Sequence, residues 1–347
     1  MTQSEYPSVL LIYTGGTIGM IENPATGTLQ PFDFSHLLDN VPKIKMLNYE
    51  IGNVQFEEPI DSSDMNPTHW VKIAEAIERE YDNYDGFVVL HGTDTMAYSA
   101  SALSFMLENL RKPVIITGSQ LPIGEVRTDG EENLITALQI AAATNSAGAP
   151  MVQEVAILFE NYLWRGNRST KMSADNFNAF KSNNYPPLAK IGLGIHYNED
   201  ALYRPAPSQD TKLKVHYGLD TGVMFVDLFP GMRAEILSHQ LATPGIKGIV
   251  LKTYGAGNAP TAQWFTDAIK QAVNDNKVVL NVTQCVNGGV HKRYVSADTL
   301  ANAGVVSGRD MTAEAAITKM MFLFGLGLDN RQVAEKFGDA LCGEVTL

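Results

Sequence analysis

Two α/β domains with mainly parallel sheets, the N-terminal one larger, are what the sequence predicts, and three observations predict them. Short unbroken apolar runs, Val9-Leu10-Leu11-Ile12-Tyr13 and Phe87-Val88-Val89-Leu90 among them, stop abruptly at polar and glycine residues. That is the pattern of strands buried on both faces of a parallel sheet. Such runs alternate with helix-length patterns along the whole chain, the signature of βαβ units. Finally, 347 residues exceed what one hydrophobic core usually serves. The expected division is an N-terminal domain over 1–205, a linker over 206–220 and a C-terminal domain over 221–347, with the Pro-rich polar stretch Tyr203 to Asp210 at the boundary.

Taken in order, Val9 to Tyr13 reads as the first strand, ending in Thr14-Gly15-Gly16. Ile21 to Asp33 is rich in Asn, Pro, Gly and Thr and reads as a loop. Asp61-Ser62-Ser63-Asp64-Met65-Asn66 packs short polar side chains ahead of a helical pattern over Pro67 to Tyr81, so one of them is expected to be the N-cap. Phe87 to Leu90 is a second strand, followed by His91-Gly92-Thr93-Asp94-Thr95 and a helix over Met96 to Leu110. A strand over Val114 to Ser119, a helix beginning near Asp129 and a strand over Val152 to Phe159 complete this part.

The second part predicts strands at Gly222 to Leu228, Gly248 to Thr253 and Val278 to Thr283. Helices are predicted at Ala234 to Leu241, Thr261 to Asn274 and Thr312 to Phe324, with Pro260 at a helix start where its missing N–H costs little.

Composition excludes several function classes. A formal net charge of −12 argues against binding nucleic acid through phosphate contacts, which need clustered Lys and Arg. The two cysteines, Cys285 and Cys342, are far apart, so neither a disulfide framework nor a zinc site is suggested. Seven histidines lack ligand spacing, and glycines 15, 16 and 19 do not give G-x-G-x-x-G. No metal or cofactor is therefore expected. Met1 to Ser8 has no basic region leading into an apolar run, and no stretch approaches the roughly 18 apolar residues of a membrane span. A cytoplasmic protein with no membrane partner is expected.

Two strand ends present threonines, Thr14 and Thr93, beside glycines that let a substrate approach the backbone. Read locally, each loop is equally a plain turn. A threonine hydroxyl is a weak nucleophile at neutral pH and needs a base, and the carbonyl it attacks needs donors for the developing oxyanion. His91 reads as a structural residue at a strand end rather than as that base.

Tyr13-Thr14-Gly15-Gly16-Thr17-Ile18-Gly19 and His91-Gly92-Thr93-Asp94-Thr95-Met96 resemble the two hallmark motifs of the bacterial-type L-asparaginase family, and most closely its cytoplasmic type I branch. The resemblance extends through Asp61 to Met65, Pro113 to Gln120, Arg165 to Lys171 and Tyr254 to Pro260, essentially the whole chain. It implies hydrolysis of L-asparagine to L-aspartate and ammonia through an acyl-threonine intermediate. Thr14 would be the primary nucleophile, and Thr93, Asp94 and Lys171 a second hydroxyl–carboxylate–lysine set. Thr93 itself is left as nucleophile, water activator or proton relay. Asp61, Ser62, Ser63, Thr93 and Asp94 would bind the substrate, Asp94 through its α-ammonium group.

The resemblance further implies a homotetramer built as a dimer of dimers, in which Asn258 completes a neighbouring subunit's site. A lid is implied over Ile21 to Asp33, but this chain lacks the tyrosine that many members carry there. Thr170, Lys252 and Cys285 match positions of a second, regulatory asparagine site in some members, with lysine at 252 where arginine is usual. Read without the resemblance, Lys171 is a surface lysine, Lys252 a strand-end lysine and Cys285 a small buried hydrophobe. Two other functions compete: the glutamine-cleaving subunit of a tRNA-dependent amidotransferase, and a non-catalytic Rossmann-type binding module.

Overall fold

In the computed structural model the described residues are 6–22, 26, 29–31, 41–204, 212–291 and 295–347. The chain divides into two compact units, Met1–Val215 and His216–Leu347. Parts of the expected lid (23–25, 27–28 and 32–33) and of the expected linker (206–211) lie outside the described residues.

The first unit runs β1 (Ser8–Gly15), a short hairpin of β2 (Met20–Glu22) and β3 (Leu29–Pro31), then β4 (Glu50–Ile60) and α1 (Pro67–Glu80). It continues with β5 (Gly86–Leu90), α2 (Met96–Met106), β6 (Leu107–Glu108), β7 (Val114–Thr117) and α3 (Gly130–Ala142). β8 (Val155–Phe159), β9 (Tyr162–Arg165), β10 (Thr170–Lys171), β11 (Phe180–Lys181), β12 (Ala189–Ile191), β13 (Ile195–Tyr197) and β14 (Lys214–Val215) follow.

Eight of these strands form one sheet in the order β13-β12-β9-β8-β7-β5-β1-β4. The five from β8 to β4 are parallel, and the remaining three join antiparallel. β5, β7 and β8 are buried along their whole length, as their continuous Val, Ile, Leu and Phe runs require. Burying each such side chain contributes roughly 1.5–3 kcal/mol before entropy is counted. From β1 the chain goes to β4 on one side, then crosses back over β1 to β5 and continues to β7 and β8 on the other. The strand order therefore reverses between β1 and β5, and in open α/β sheets ligands bind at the C-terminal ends of strands at such a switch point.

Helix α1 buries Trp70, Ile73, Ala74 and Ile77, one face at helical spacing, against the sheet. Its N-cap is Asn66, whose side chain accepts from Thr68 N at 3.0 Å while its backbone N–H donates to His69 Nδ1 at 3.3 Å. Helix α2 is shorter than the sequence pattern predicts. It stops at Met106 because Leu107–Glu108 turns to pair antiparallel with Lys214–Val215, a distant partner that no local pattern announces.

The second unit holds β15 (Val223–Asp227), α4 (Ala234–Leu241), β16 (Gly248–Thr253), α5 (Gln263–Asn274) and β17 (Val278–Thr283). It continues with α6 (Val295–Asn302), β18 (Val306–Ser307), α7 (Ala313–Gly325) and α8 (Asn330–Lys336). The four strands form a fully parallel sheet in sequence order over a core that includes Leu237, Ile249, Leu251, Phe265 and Ile269. Pro260 lies outside the helix it was expected to start, since α5 begins at Gln263. The C-terminal segment is pinned inward by Lys319, whose buried Nζ meets Glu344 Oε1 at 2.6 Å and the Asp339 carbonyl at 2.7 Å. None of the described helices is long and apolar enough to cross a membrane.

Candidate active site

Three loops converge at the C-terminal ends of β1 and β5. Gly16, at φ +91°, lies so close to the next strand end that a Cβ there would sit 2.5 Å from Gly92 N. A Cβ on Gly92 would in turn sit 2.6 Å from Ser62 Oγ. Only glycine permits both approaches. They draw the Thr14 loop, the Thr93–Asp94 loop and the Asp61–Asp64 turn after β4 into one patch.

Lys171, on β10, reaches that patch. Its Nζ donates to Thr93 Oγ1 at 2.8 Å and to Asp94 Oδ1 at 2.6 Å, and its side chain is only 18% exposed. The surface-lysine reading of this residue fails. Thr93 Oγ1, having accepted from the ammonium, directs its own proton at Gln120 Oε1, 3.3 Å away. Thr14 is buried, and its hydroxyl donates to the Leu90 carbonyl at 2.9 Å. The structure thus brings Thr93, Asp94 and Lys171 into one hydrogen-bonded set, while Thr14 is bonded to the neighbouring strand.

Ser62 is buried and holds the second loop from below, its Oγ accepting from Asp94 N at 3.2 Å and its carbonyl accepting from Thr95 Oγ1 at 2.7 Å. Asp61 caps the short turn: Oδ1 accepts from Ser63 N and Ser63 Oγ, both at 2.9 Å. Those bonds favour the carboxylate and hold its pKa below the usual range. Ser63 is exposed. Burial pushes the Tyr13 phenol beside this loop up to about 12, and the phenol donates to the Gly19 carbonyl at 3.0 Å.

Sequence reasoning missed Gln120. Its side chain bridges Thr93 to the segment after Lys171 by donating from Nε2 to the Asn176 carbonyl at 3.0 Å. The available signal was Thr117-Gly118-Ser119-Gln120, a third polar ending on a strand of the same sheet edge.

In the second unit, Asn258 closes the loop after β16, with Tyr254 and Asn258 exchanging backbone bonds at 2.8 Å in each direction. Thr253 Oγ1 donates to Asn281 Oδ1 at 2.7 Å, and Asn281 Nδ2 donates to the Gly257 carbonyl at 3.2 Å, so this loop is tied to β17. Lys252 pairs with Asp227 at 2.6 Å. Cys285 is exposed, which overturns its reading as a buried packing residue. Thr170 is half-buried in the first unit, on β10 beside Lys171. Among the described residues no group of His, Cys, Asp and Glu could hold a metal ion.

A family model described as asparaginase, N-terminal, matches residues 8–203, and one described as glutaminase/asparaginase C-terminal domain matches 222–337. L-asparaginase 1 of Escherichia coli strain K12 is 43% identical over 345 residues, covering 98% of each chain. The crystal structure of L-asparaginase I from Vibrio cholerae matches with a TM-score of 0.89 at 39% identity, covering 99% of this chain and 100% of that one. A glutamyl-tRNA(Gln) amidotransferase component of Pyrococcus abyssi is 35% identical over 350 residues, covering 98% of this chain and 77% of that protein. With both family models matched in order over a two-domain α/β fold, the chain belongs to the asparaginase family and is an amidohydrolase of that family.

Proposed function

We propose that the chain hydrolyses the side-chain amide of L-asparagine to L-aspartate and ammonia by way of an acyl-threonine. The Thr14 oxygen attacks the amide carbon, the C–N bond breaks, and the hydroxyl proton leaves with the nitrogen as ammonia. Water then cleaves the ester, releasing aspartate and restoring the hydroxyl. The observation that carries this reading is the Lys171 ammonium, held at once by Thr93 Oγ1 at 2.8 Å and Asp94 Oδ1 at 2.6 Å beside the buried Thr14 strand end. An amine of this kind acts as a base once its neutral form becomes accessible. The Asp94 carboxylate, paired with Lys171, orients it and offers an opposite-charge contact to the substrate's α-ammonium.

In this reading Ser62 and Ser63 hold the substrate's α-carboxylate, and Asp61, which caps their turn, belongs to the substrate-binding set. Asn258 reaches the site of a neighbouring subunit in a tetramer of two intimate dimers. The protein works in the cytoplasm.

Ammonia release from asparagine and from glutamine, compared for the wild type, Thr14→Ala and Thr93→Val, tests the proposal. Both substitutions remove only small groups and should each lower asparagine turnover by at least roughly 10², the low end of what positioned proton transfer alone contributes. A large fraction of wild-type turnover in either variant would remove that residue from its role. The similarity to an amidotransferase component makes glutamine the competing substrate. The longer side chain displaces the amide from Thr14, and misplacement by about 1 Å costs about a hundredfold. Equal kcat/KM for the two amides would sink the asparagine assignment.

A further inference from the structure

Sheet bonding along β5 ends at His91, whose N–H donates to the Thr117 carbonyl at 2.9 Å, and helix α2 begins at Met96. The residues between carry Thr93 and Asp94. Ser62 holds them on one side, and on the other they are held by the side chain of His91 itself. That ring is fully buried and engaged at both nitrogens: Nδ1 lies 2.6 Å from the Gly92 carbonyl oxygen and Nε2 lies 2.8 Å from Ser99 Oγ. Trp70 Nε1, from helix α1, donates to the same Ser99 Oγ at 2.8 Å.

The direction of each bond follows from what each group can do. An indole N–H only donates and a carbonyl only accepts, so Nδ1 must carry the proton that meets Gly92. Burial keeps the ring neutral, holding its pKa down to about 4. Nε2 is then a bare acceptor, and Ser99 supplies its O–H to it. The protons run one way, from Trp70 to Ser99, to His91, to the Gly92 carbonyl. Bonds aligned in one sense polarise and strengthen one another in a buried setting.

The carbonyl at the end of that chain belongs to the planar peptide unit that leads into Thr93. We infer that His91 is a positioning residue for the amide hydrolysis. Through this one-way chain it fixes the Gly92–Thr93 peptide and, with it, the direction in which the Thr93 hydroxyl meets Lys171. A histidine kept only to fill the core would need its ring volume but neither this tautomer nor this donor.

The inference rests on the role proposed for Thr93, so Thr93→Val belongs in the same experiment. Asparagine turnover is measured for His91→Leu, His91→Asn and Ser99→Ala, with folding checked by circular dichroism. The asparagine amide N–H₂ takes the place of Nδ1–H and keeps the donor to Gly92, while leucine keeps only the bulk. His91→Leu should lower kcat about tenfold, a modest share of what misplacing a reacting group costs, with KM changed less than about threefold. His91→Asn should return to within about threefold of the wild type.

Nitrogen-15 spectra of the wild-type ring should show the Nδ1–H tautomer, and Ser99→Ala, which removes the donor to Nε2, should shift the Nε2 resonance while Nδ1 keeps its proton. This arm is read on the wild type and stands even where His91→Leu does not fold. An Nε2–H tautomer in the wild type would overturn the proposal. So would kcat in folded His91→Leu equal to that of His91→Asn. If Thr93→Val itself stays active, the reading of Thr93 fails instead, and the two failures are told apart.

Discussion

Replacing Lys171 by Met should separate chemistry from stability. The Lys171 side chain is 18% exposed and that of its partner Asp94 63% exposed, so the 2.6 Å ion pair between them is largely screened by water. Pairs of this kind contribute about 0–1 kcal/mol to folding. Methionine is unbranched and of similar length, so it fills the same channel without a cavity. The variant should therefore lose less than about 1 kcal/mol of unfolding free energy, read by urea denaturation. Turnover is another matter. Losing the donor that holds Thr93 Oγ1 at 2.8 Å removes the amine on which the proposed proton transfer depends. Positioned proton transfer is worth roughly 10² to 10⁴ in rate, and even the lower figure is about 2.7 kcal/mol of barrier. Lys171→Arg should fail as well, because a guanidinium keeps its proton at any working pH and its rigid planar fork does not reproduce the bonds that one ammonium makes to both Thr93 and Asp94. Ammonia release is the assay. A fall in kcat of less than about fivefold in Lys171→Met would refute the assignment, as would a fall matched by an equal loss of stability.

Acid should destabilise the fold through His91. Its folded pKa near 4 lies below the ordinary 6.5, so between those values the unfolded chain takes a proton that the folded chain refuses. The contribution is complete above pH 6.5, shrinks as the pH falls and is gone below 4, with a ceiling of about 3 kcal/mol. Urea midpoints followed from pH 7 to pH 4 should fall more steeply for the wild type than for His91→Asn, and parallel curves would contradict this. For Asn258, mixing inactive Thr14→Ala chains with inactive Asn258→Ala chains should restore part of the activity, because a hybrid site can hold both intact residues. Absence of recovery despite proven subunit exchange would count against a shared site.

Where an element is buried on both faces, its own composition announces it: Gly248–Thr253 and Val278–Thr283 fall at the limits the apolar pattern predicts. β4 gave no such signal, since it lies at the sheet edge with most of its residues exposed or half-exposed, and its sequence reads as mixed polar. The end of helix α2 was hidden for a different reason. Met96 to Leu110 is apolar enough to continue as helix, but the helix stops where Leu107–Glu108 pairs with Lys214–Val215 and Asn109 turns left-handed. The same division runs through the site. Thr14 and Thr93 were legible as hydroxyls on strand ends, a local property. That Lys171 spans Thr93 and Asp94, or that Gln120 accepts a hydrogen bond from the Thr93 hydroxyl, depends on strands brought together by the fold.

The hydrogen bonds also distinguish the two threonines. Thr93 accepts from the Lys171 ammonium and donates to the Gln120 amide oxygen, so its hydroxyl stands directly against a titratable amine. Thr14 directs its proton at the Leu90 carbonyl, a group far too weak a base to keep it. In the proposed reaction, attack by Thr14 therefore requires its hydroxyl to turn away from Leu90 toward a group that can accept the proton. The Thr93–Lys171 pair lies on the adjacent strand end across the Gly16–Gly92 contact. In the proposed reaction the nucleophile thus starts from a hydrogen bond to a backbone carbonyl, and breaking that bond is part of its activation.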